Sequence, residues 1–261
     1  MRLFVFDLDG VIYIGNTLLS GVKQTLESLE KRGEKICFLS NNSTLSRKGY
    51  CKKLGKLGLK VREEQLFTSS YLCALYLKNH RKITPEEKVM VIGESGIIQE
   101  LKKAKIDISR NPEKVRYVVV GMDRKLNFRK LCLAYQAIIK GAEFIATNTD
   151  TTYPLEGKTI PASGAIVKAL EVSTKKTPIV LGKPYTFGIK TLLKSTGFPS
   201  SQTILVGDRL ETDIALGNKM GIKTVLVLSG ISSRQEVEKA PFSLKPNFVI
   251  SSLPELLSLN I

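Results

Sequence analysis

Two carboxylates separated by a single residue near the start of the chain could do chemistry together. Asp7 and Asp9 directly follow the apolar run Leu3–Phe6, and Gly10 comes next. A buried carboxylate loses hydration unless a cation or a proton pairs with it, so packing alone does not explain two acids at a strand end. Carboxylate oxygens are preferred Mg²⁺ ligands, and Asp7 could also attack a phosphorus atom while Asp9 handles the leaving-group proton. Simple hydration of both acids is the alternative, and four residues do not decide between the two.

Three further apolar runs have strand-like composition and end at a polar residue: 35–39 at Ser40, 179–181 at Lys183 and 203–206 at Asp208. If these strands lie parallel to the first in one sheet, their carboxyl ends share one edge. Open α/β sheets bind their ligands at that edge. We therefore expect the four strand ends to converge, although they are far apart in the sequence.

The residue types at the four ends fit one task. Asp7, Asp9 and Asp208 would hold Mg²⁺, because three crowded carboxylates repel one another without a cation. Lys183 would supply a compact positive charge to the nucleophile and to a phosphoryl group. The run after the second strand offers hydroxyl, amide and backbone donors to phosphate oxygens: Ser40, Asn41 and Asn42.

Apolar strands and amphipathic helices alternate along the whole chain, which is typical of doubly wound α/β architecture. Two polar segments that contain proline, 78–87 and 173–178, resemble hinges. We predict a mainly parallel, Rossmann-like core sheet built from residues 1–80 and 179–261. Residues 81–178 would form a second α/β domain inserted between the two halves.

The composition narrows the class of protein. With 261 residues, 43% of them hydrophobic, the chain can bury a substantial core. It has no apolar stretch long enough for a membrane helix, and Asp7 comes too early for a signal peptide, so we expect a cytoplasmic protein. The four cysteines form no Cys-x-x-Cys pair and there is one histidine. A metal would therefore depend mainly on oxygen ligands.

The net charge of +16 raises the possibility of nucleic-acid binding. However, the lysines are scattered over predicted helices with acids between them, and neither an RNA-binding aromatic signature nor a zinc-finger spacing is present. Solvated helix faces explain this pattern better. A positive surface would still raise the rate of encounter with small anions such as phosphate esters.

The strand ends form motifs that together resemble the haloacid dehalogenase (HAD) superfamily of aspartyl-phosphate phosphatases. In chain order they are Asp7-Leu8-Asp9-Gly10-Val11, Ser40, Lys183 and Gly207-Asp208-Arg209-Leu210-Glu211-Thr212-Asp213. The stretches 39–43, 182–184 and 146–150 resemble the NagD and 4-nitrophenylphosphatase branch, which also includes phosphoglycolate and pyridoxal phosphatases. The resemblance covers essentially the whole chain.

The resemblance implies a role for each residue of the predicted site. Asp7 would be the nucleophile and a metal ligand. Asp9 would protonate the leaving oxygen, then activate the hydrolytic water, and would contact the metal through its backbone carbonyl. Asp208 would complete the ligand set, supported by Asp213. The phosphoryl group would be held by a set of polar residues: Ser40, Asn41, Asn42 and Lys183.

The same resemblance makes residues 81–178 a large (C2-type) cap that reaches over the active-site edge and reads the organic part of the substrate. Asn148, Asp150 and Tyr153 lie in the segment that sets specificity in the family, although relatives vary at the position of Tyr153. Asn148 and Asp150 could instead shape a turn. Caps of relatives form dimer contacts or none, so both a monomer and a homodimer fit.

The implied reaction is Mg²⁺-dependent hydrolysis of a small phosphorylated metabolite, a phosphomonoester such as a sugar phosphate, phosphoglycolate, a nucleotide or 4-nitrophenyl phosphate. A phosphotransferase that uses the same aspartyl-phosphate stays open, because the acids cannot distinguish water from another acceptor. A dehalogenase would have no use for Asp9 and the metal ligands. The non-enzymatic alternative is a basic nucleic-acid-binding protein, although we expect neither nucleic-acid nor membrane partners.

Overall fold

Strands and helices alternate in the computed structural model, which describes residues 1–155 and 157–261. The strands are β1 (Leu3–Phe6), β2 (Tyr13–Ile14), β3 (Thr17–Leu18), β4 (Lys35–Ser40), β5 (Leu66–Thr68), β6 (Val89–Ile92), β7 (Tyr117–Val120), β8 (Glu143–Ala146), β9 (Thr152–Leu155), β10 (Lys158–Pro161), β11 (Ile179–Val180), β12 (Thr203–Gly207), β13 (Lys223–Val227) and β14 (Phe248–Ile250). The α-helices are α1 (Val22–Lys31), α2 (Arg47–Lys56), α3 (Ser69–Leu75), α4 (Ser95–Lys103), α5 (Phe128–Ile139), α6 (Ser163–Thr174), α7 (Phe187–Thr196), α8 (Ala215–Lys219) and α9 (Arg234–Lys239).

The larger sheet has six parallel strands in the order β14-β13-β12-β1-β4-β5. The central strand β1 is apolar on both faces. Phe4 packs in the hydrophobic cluster on the side of α1, whereas Val5 packs in the cluster on the side of α7. Burial on both faces explains why this strand reads as a continuous apolar run instead of an alternating one. The predicted doubly wound α/β class is confirmed.

The register of this sheet brings three strand ends to one edge. Phe6 of β1 lies beside Phe38 of β4 and Val206 of β12, so the residues that follow these positions lie at the same edge. The backbone N–H of Asp7 donates to the carbonyl of Val206 (2.9 Å). Asp7, and Asp208 at the end of β12, are thereby fixed at this edge by the strand pairing itself.

The fourth predicted strand does not belong to this sheet. β11 pairs with β8 in a second, parallel sheet of order β11-β8-β7-β6, so the expectation of four strands in one sheet is wrong for Ile179–Val180. The N–H of Leu181 continues the pairing by donating to the carbonyl of Ala146 (3.1 Å). A two-residue apolar strand carries no sequence signal for the sheet that it joins. Lys183 therefore approaches the shared edge from the second sheet.

A β-hairpin lies between β8 and α6. β9 and β10 pair antiparallel, with Tyr153 opposite Ile160. Its strands are only partly buried and contain two prolines, Pro154 and Pro161, which is why they lack the apolar or alternating pattern of a strand. A second short hairpin, β2–β3, follows the first motif.

Two further expectations concern the chain as a whole. None of the described helices is long and apolar enough to cross a membrane. The four cysteines are free: Cys37 and Cys73 are buried, whereas Cys51 and Cys132 are partly exposed. Burial raises the pKa of the Cys37 thiol to about 11, which fits a small core residue rather than a reactive thiol.

Candidate active site

Lys183 lies between two carboxylates. Its Nζ is 2.7 Å from Oδ1 of Asp7 and 2.6 Å from Oδ1 of Asp213, and its side chain is only 3% exposed. Burial alone would lower the pKa of Lys183, but the charges of Asp213 and Asp7 outweigh it and raise the pKa above its usual range. A lysine in this place stays charged and cannot act as a base.

The side chain of Asp208 packs closely against two glycines at the same edge. A Cβ built on Gly230 would come within 2.0 Å of Oδ2 of Asp208, and one built on Gly10 within 2.4 Å. The N–H of Ile231 donates to that same oxygen (2.9 Å). Gly10 of the first motif is therefore required for two reasons: it has a positive φ of 85°, and it leaves the space that the Asp208 carboxylate occupies.

Asp7, Asp208 and Asp213 form a buried carboxylate cluster, since one oxygen of each lies within 4.8 Å of the others. Burial, opposed by Lys183, raises the pKa of Asp7 to about 7. Burial and the charges of Asp7 and Asp213 raise the pKa of Asp208 well above its usual value. The cluster thus has more negative charge than one lysine can neutralise, and its hard oxygen donors fit Mg²⁺.

The oxygens of Asp213 already have partners. Oδ1 accepts from Lys183, and Oδ2 accepts from the backbone N–H of Arg209 (3.2 Å) and from the hydroxyl of Thr212 (3.4 Å). Asp213 therefore braces Lys183 and the loop after β12. Asp7 and Asp208 have more coordination capacity left for a cation.

The side chain of Asp9 points to a different set of partners. Its Oδ2 accepts from Asn42 Nδ2 (3.1 Å) and from the hydroxyl of Tyr13 (3.3 Å), and its Oδ1 accepts from the hydroxyl of Tyr153 (3.4 Å). Burial raises the pKa of Asp9, although the hydrogen bonds from Asn42 and Tyr13 oppose it. Asp7 and Asp9 therefore differ in environment, as expected for two acids with different tasks.

Asn41 ties the two sheets together. Its Oδ1 accepts from the N–H of Lys183 (2.7 Å), and its Nδ2 donates to the carbonyl of Lys183 (3.0 Å) and to Oδ1 of Asp150 (2.9 Å). Asn148 Nδ2 in turn donates to the carbonyl of Asn41 (2.7 Å), while its Oδ1 accepts from the N–H of Asp150 and the hydroxyl of Ser163. The side chains of Asn41 and Asn148 thus position neighbouring residues on both sheets.

A small cavity opens at this edge, with about 40 Å³ of space for water-sized molecules. All predicted site residues except Asp213 line this cavity, and Asp213 is paired with the lining residue Lys183. The lining residues come from both the larger sheet and the second sheet. A volume of this size holds a few waters, so only a small group fits in the present arrangement.

The sequence reasoning gave no role to several residues in or near the cavity, among them Tyr13, Arg209 and Met122. Tyr13 hydrogen-bonds to Asp9, and its position four residues later, in a short hairpin, could have suggested this contact. Arg209 directly follows Asp208 in the fourth motif, and this position next to a predicted metal ligand was a signal for a place near the site. Met122 follows β7 of the second sheet and carries no comparable signal.

Comparisons with known proteins give the same answer as the motifs. Family models described as haloacid dehalogenase-like hydrolase and HAD-hydrolase-like match residues 4–107 and 180–256. The chain is similar to phosphoglycolate phosphatase 1A, chloroplastic, of Arabidopsis thaliana, with 40% identity over 98% of this chain and 76% of the relative. The relation therefore extends through both sheets.

Two solved structures resemble it closely in fold. A p-nitrophenyl phosphatase from Archaeoglobus fulgidus has a TM-score of 0.89 and 34% identity and covers 98% of both chains. A glycerol phosphate phosphatase from Mycobacterium tuberculosis in complex with magnesium has a TM-score of 0.89 and 28% identity over 98% of this chain and 76% of that one. The chain belongs to the haloacid dehalogenase-like hydrolases, in the subgroup of phosphatases related to NagD and 4-nitrophenylphosphatase.

Proposed function

We propose that this protein hydrolyses small phosphomonoesters in a Mg²⁺-dependent reaction through an aspartyl-phosphate on Asp7. The observation that carries the proposal is the position of Asp7: a cavity-lining carboxylate 2.7 Å from the buried Nζ of Lys183, beside Asp208. In the proposed reaction these three side chains would serve as the nucleophile, the fixed cation and the metal-binding acid around one small space. The names of the relatives, phosphatases for phosphoglycolate, p-nitrophenyl phosphate and glycerol phosphate, support the same class of substrate.

The carboxylate cluster supports the choice of metal. Asp7 and Asp208 would hold Mg²⁺ with the backbone carbonyl of Asp9, and Asp213 would support them through Lys183. When bound, the ion would neutralise charge on the phosphoryl oxygens and on the crowded acids. Oxygen donors suit Mg²⁺ better than a transition metal, and the magnesium complex of the M. tuberculosis relative agrees with this choice.

The two displacements use the two acids of the first motif. An Asp7 oxygen attacks the phosphorus, the phosphorus–oxygen bond of the ester breaks, and the alcohol leaves with the proton that Asp9 donates. Asp9 then takes a proton from water as the water oxygen attacks the same phosphorus, which releases inorganic phosphate and restores Asp7. Lys183 holds the attacking carboxylate and balances the charge of the phosphoryl group.

The environment of Asp9 suits an acid that also acts as a base. Burial raises its pKa, which favours the protonated form that a proton donor needs, whereas the hydrogen bonds from Asn42, Tyr13 and Tyr153 stabilise the carboxylate that remains. These donors also fix the direction in which the carboxyl group points. Asn42 thus acts on the leaving-group side of the site, next to the phosphoryl contacts proposed for Ser40 and for the backbone of Asn41.

Residues 81–178 would act as the cap over this site. They contribute Tyr153, Asp150 and Met122 to the cavity wall, opposite the acids of the larger sheet. Such a wall contacts the organic part of a substrate whose phosphoryl group lies on Asp7. The small cavity favours compact leaving groups, and a larger one would require the wall to move.

The metal is tested by removal and return. EDTA should abolish the release of inorganic phosphate from 4-nitrophenyl phosphate, phosphoglycolate and glycerol phosphate, because without the metal the acids repel one another and the phosphoryl group. Added Mg²⁺ should restore the activity. Mg²⁺ should also raise the unfolding temperature of the wild type, with a smaller rise for Asp208→Asn, since binding to the folded state stabilises it. Full turnover in excess chelator would rule out this ligand assignment.

The same assay separates the alternatives. A phosphotransferase would convert the ester but transfer the phosphoryl group to an added alcohol, so the transferred product would exceed free phosphate. A nucleic-acid-binding protein would release no phosphate from any ester and would show salt-sensitive binding to DNA or RNA. Free phosphate as the main product supports the hydrolase.

A further inference from the structure

Arg209 connects the loop after β12 to the β9–β10 hairpin. Its guanidinium Nη2 donates to the carbonyl of Thr152 (2.9 Å), and the Thr152 hydroxyl lies 3.5 Å from the same nitrogen. The backbone N–H of Arg209 donates to Asp213 Oδ2, so the chain at Arg209 is fixed to the carboxylate that also holds Lys183. The side chain therefore extends from a rigid point next to Asp208 to the first residue of β9.

The next residue of β9 touches the catalytic acid. The hydroxyl of Tyr153 is 3.4 Å from Asp9 Oδ1 and 3.2 Å from Asn42 Nδ2. In the part of the chain that the structure describes, the hydrogen bonds from hairpin residues 152–161 to the larger-sheet side of the site run through Tyr153 and Arg209 alone. The Tyr153 contact with Asp9 is long, so the shorter bond from Arg209 is the stronger of the two.

We propose that Arg209 is a positioning residue: it holds the start of β9 so that Tyr153 lies against Asp9 and closes the cap side of the cavity. The inference rests on the proposed function, in which Asp9 is the proton donor. The planar guanidinium is suited to this task because it grips a backbone carbonyl from a fixed direction. Arg209 thereby links the loop of a metal ligand to the residue that contacts the proton donor.

A double-mutant cycle tests the link. We expect Arg209→Met and Tyr153→Phe each to lower kcat/KM for 4-nitrophenyl phosphate by about tenfold, as for the loss of one charge-assisted or one active-site hydrogen bond. If Arg209 acts through Tyr153, the double variant should be little worse than either single one. Losses that multiply to about a hundredfold would mean that Arg209 acts on its own and would overturn the proposal.

Hydrogen exchange measures the hairpin directly and needs no activity. In metal-free, substrate-free protein, backbone amides of residues 150–162 should exchange about tenfold faster in Arg209→Met, with partial protection restored in Arg209→Lys. The exposed Arg129→Met is the matched control and should leave both the exchange and kcat/KM unchanged. Unchanged exchange together with a lost kcat would show that Arg209 contacts the substrate instead. Failure of the proposed hydrolysis alone would leave the exchange result intact.

Discussion

Replacing Asp7 with Asn should abolish turnover while leaving the fold intact. We expect kcat for any phosphomonoester to fall by at least about 10³-fold, because an amide is a poor nucleophile and a covalent intermediate cannot form. The remaining groups, including Lys183 and Asp208, would still bind the phosphoryl group. Steady-state release of inorganic phosphate measures the loss, and rapid-quench labelling should show phosphate on the wild-type chain and none on the variant.

The same substitution should not destabilise the metal-free protein. Burial raises the pKa of Asp7 from an unfolded value near 3.8 to about 7, so keeping the carboxylate ionised costs stability that grows as the pH rises between these values. Asn avoids this cost. In EDTA at pH 8, Asp7→Asn should therefore unfold at the same temperature as the wild type or higher, and the difference should vanish near pH 4.

The exposed Asp107→Asn is the matched control for this prediction. It makes the same chemical change on the surface and should retain wild-type turnover and stability. Near-wild-type hydrolysis by Asp7→Asn would exclude the aspartyl-phosphate mechanism. A variant that is inactive because it is unfolded would instead show a low unfolding temperature at every pH.

The carboxylates could be predicted from the sequence because their positions follow from local rules. β1 is a fully apolar run that must be buried, and strand pairing then fixes the residue that follows it. β12 obeys the same rule and ends at Asp208. Amphipathic helices such as α1, with Val22 and Leu26 buried, were likewise predictable from their periodicity.

Lys183 lies at the predicted edge, but the strand that was expected to bring it there is in the other sheet. Its strand joins the second sheet, and contact with the larger sheet comes through Asn41, whose amide grips both backbone groups of Lys183. Such long-range side-chain hydrogen bonds have no sequence period. The same reason explains why the sequence did not reveal that Asn41 and Asn148 also join the two sheets through their side chains.

The hairpin contacts were the hardest part to foresee. Neither strand of β9–β10 has strand-like alternation, and its pairing with the site depends on Tyr153 and Arg209, which are 56 positions apart in the sequence. Tyr153 was predicted only from the resemblance, and its hydroxyl contacts Asp9. This contact with the proposed proton donor is supported by the neighbouring bond from Arg209 to the backbone of Thr152, which no sequence pattern reveals.

Removing the buried cation should strongly destabilise the metal-free protein. Lys183→Met would leave Asp7, Asp208 and Asp213 buried together without their lysine. Breaking a buried ion pair costs about 3–5 kcal/mol, which corresponds to roughly 10 °C in unfolding temperature for a chain of this size. We also expect at least about 10³-fold loss of kcat, because the nucleophile and the phosphoryl group lose their fixed charge.

Mg²⁺ and pH should both reduce the stability defect of Lys183→Met. Mg²⁺ adds positive charge to the same carboxylates, so it should raise the unfolding temperature of the variant more than that of the wild type. Lowering the pH protonates Asp7 and Asp208, whose pKa values are already raised. The difference in unfolding temperature between the variant and the wild type should therefore shrink as the pH falls from alkaline values. The exposed Lys190→Met is the matched control and should behave as wild type. If Lys183→Met instead unfolded like the wild type in EDTA at pH 8, the charge balance derived for this cluster would be wrong.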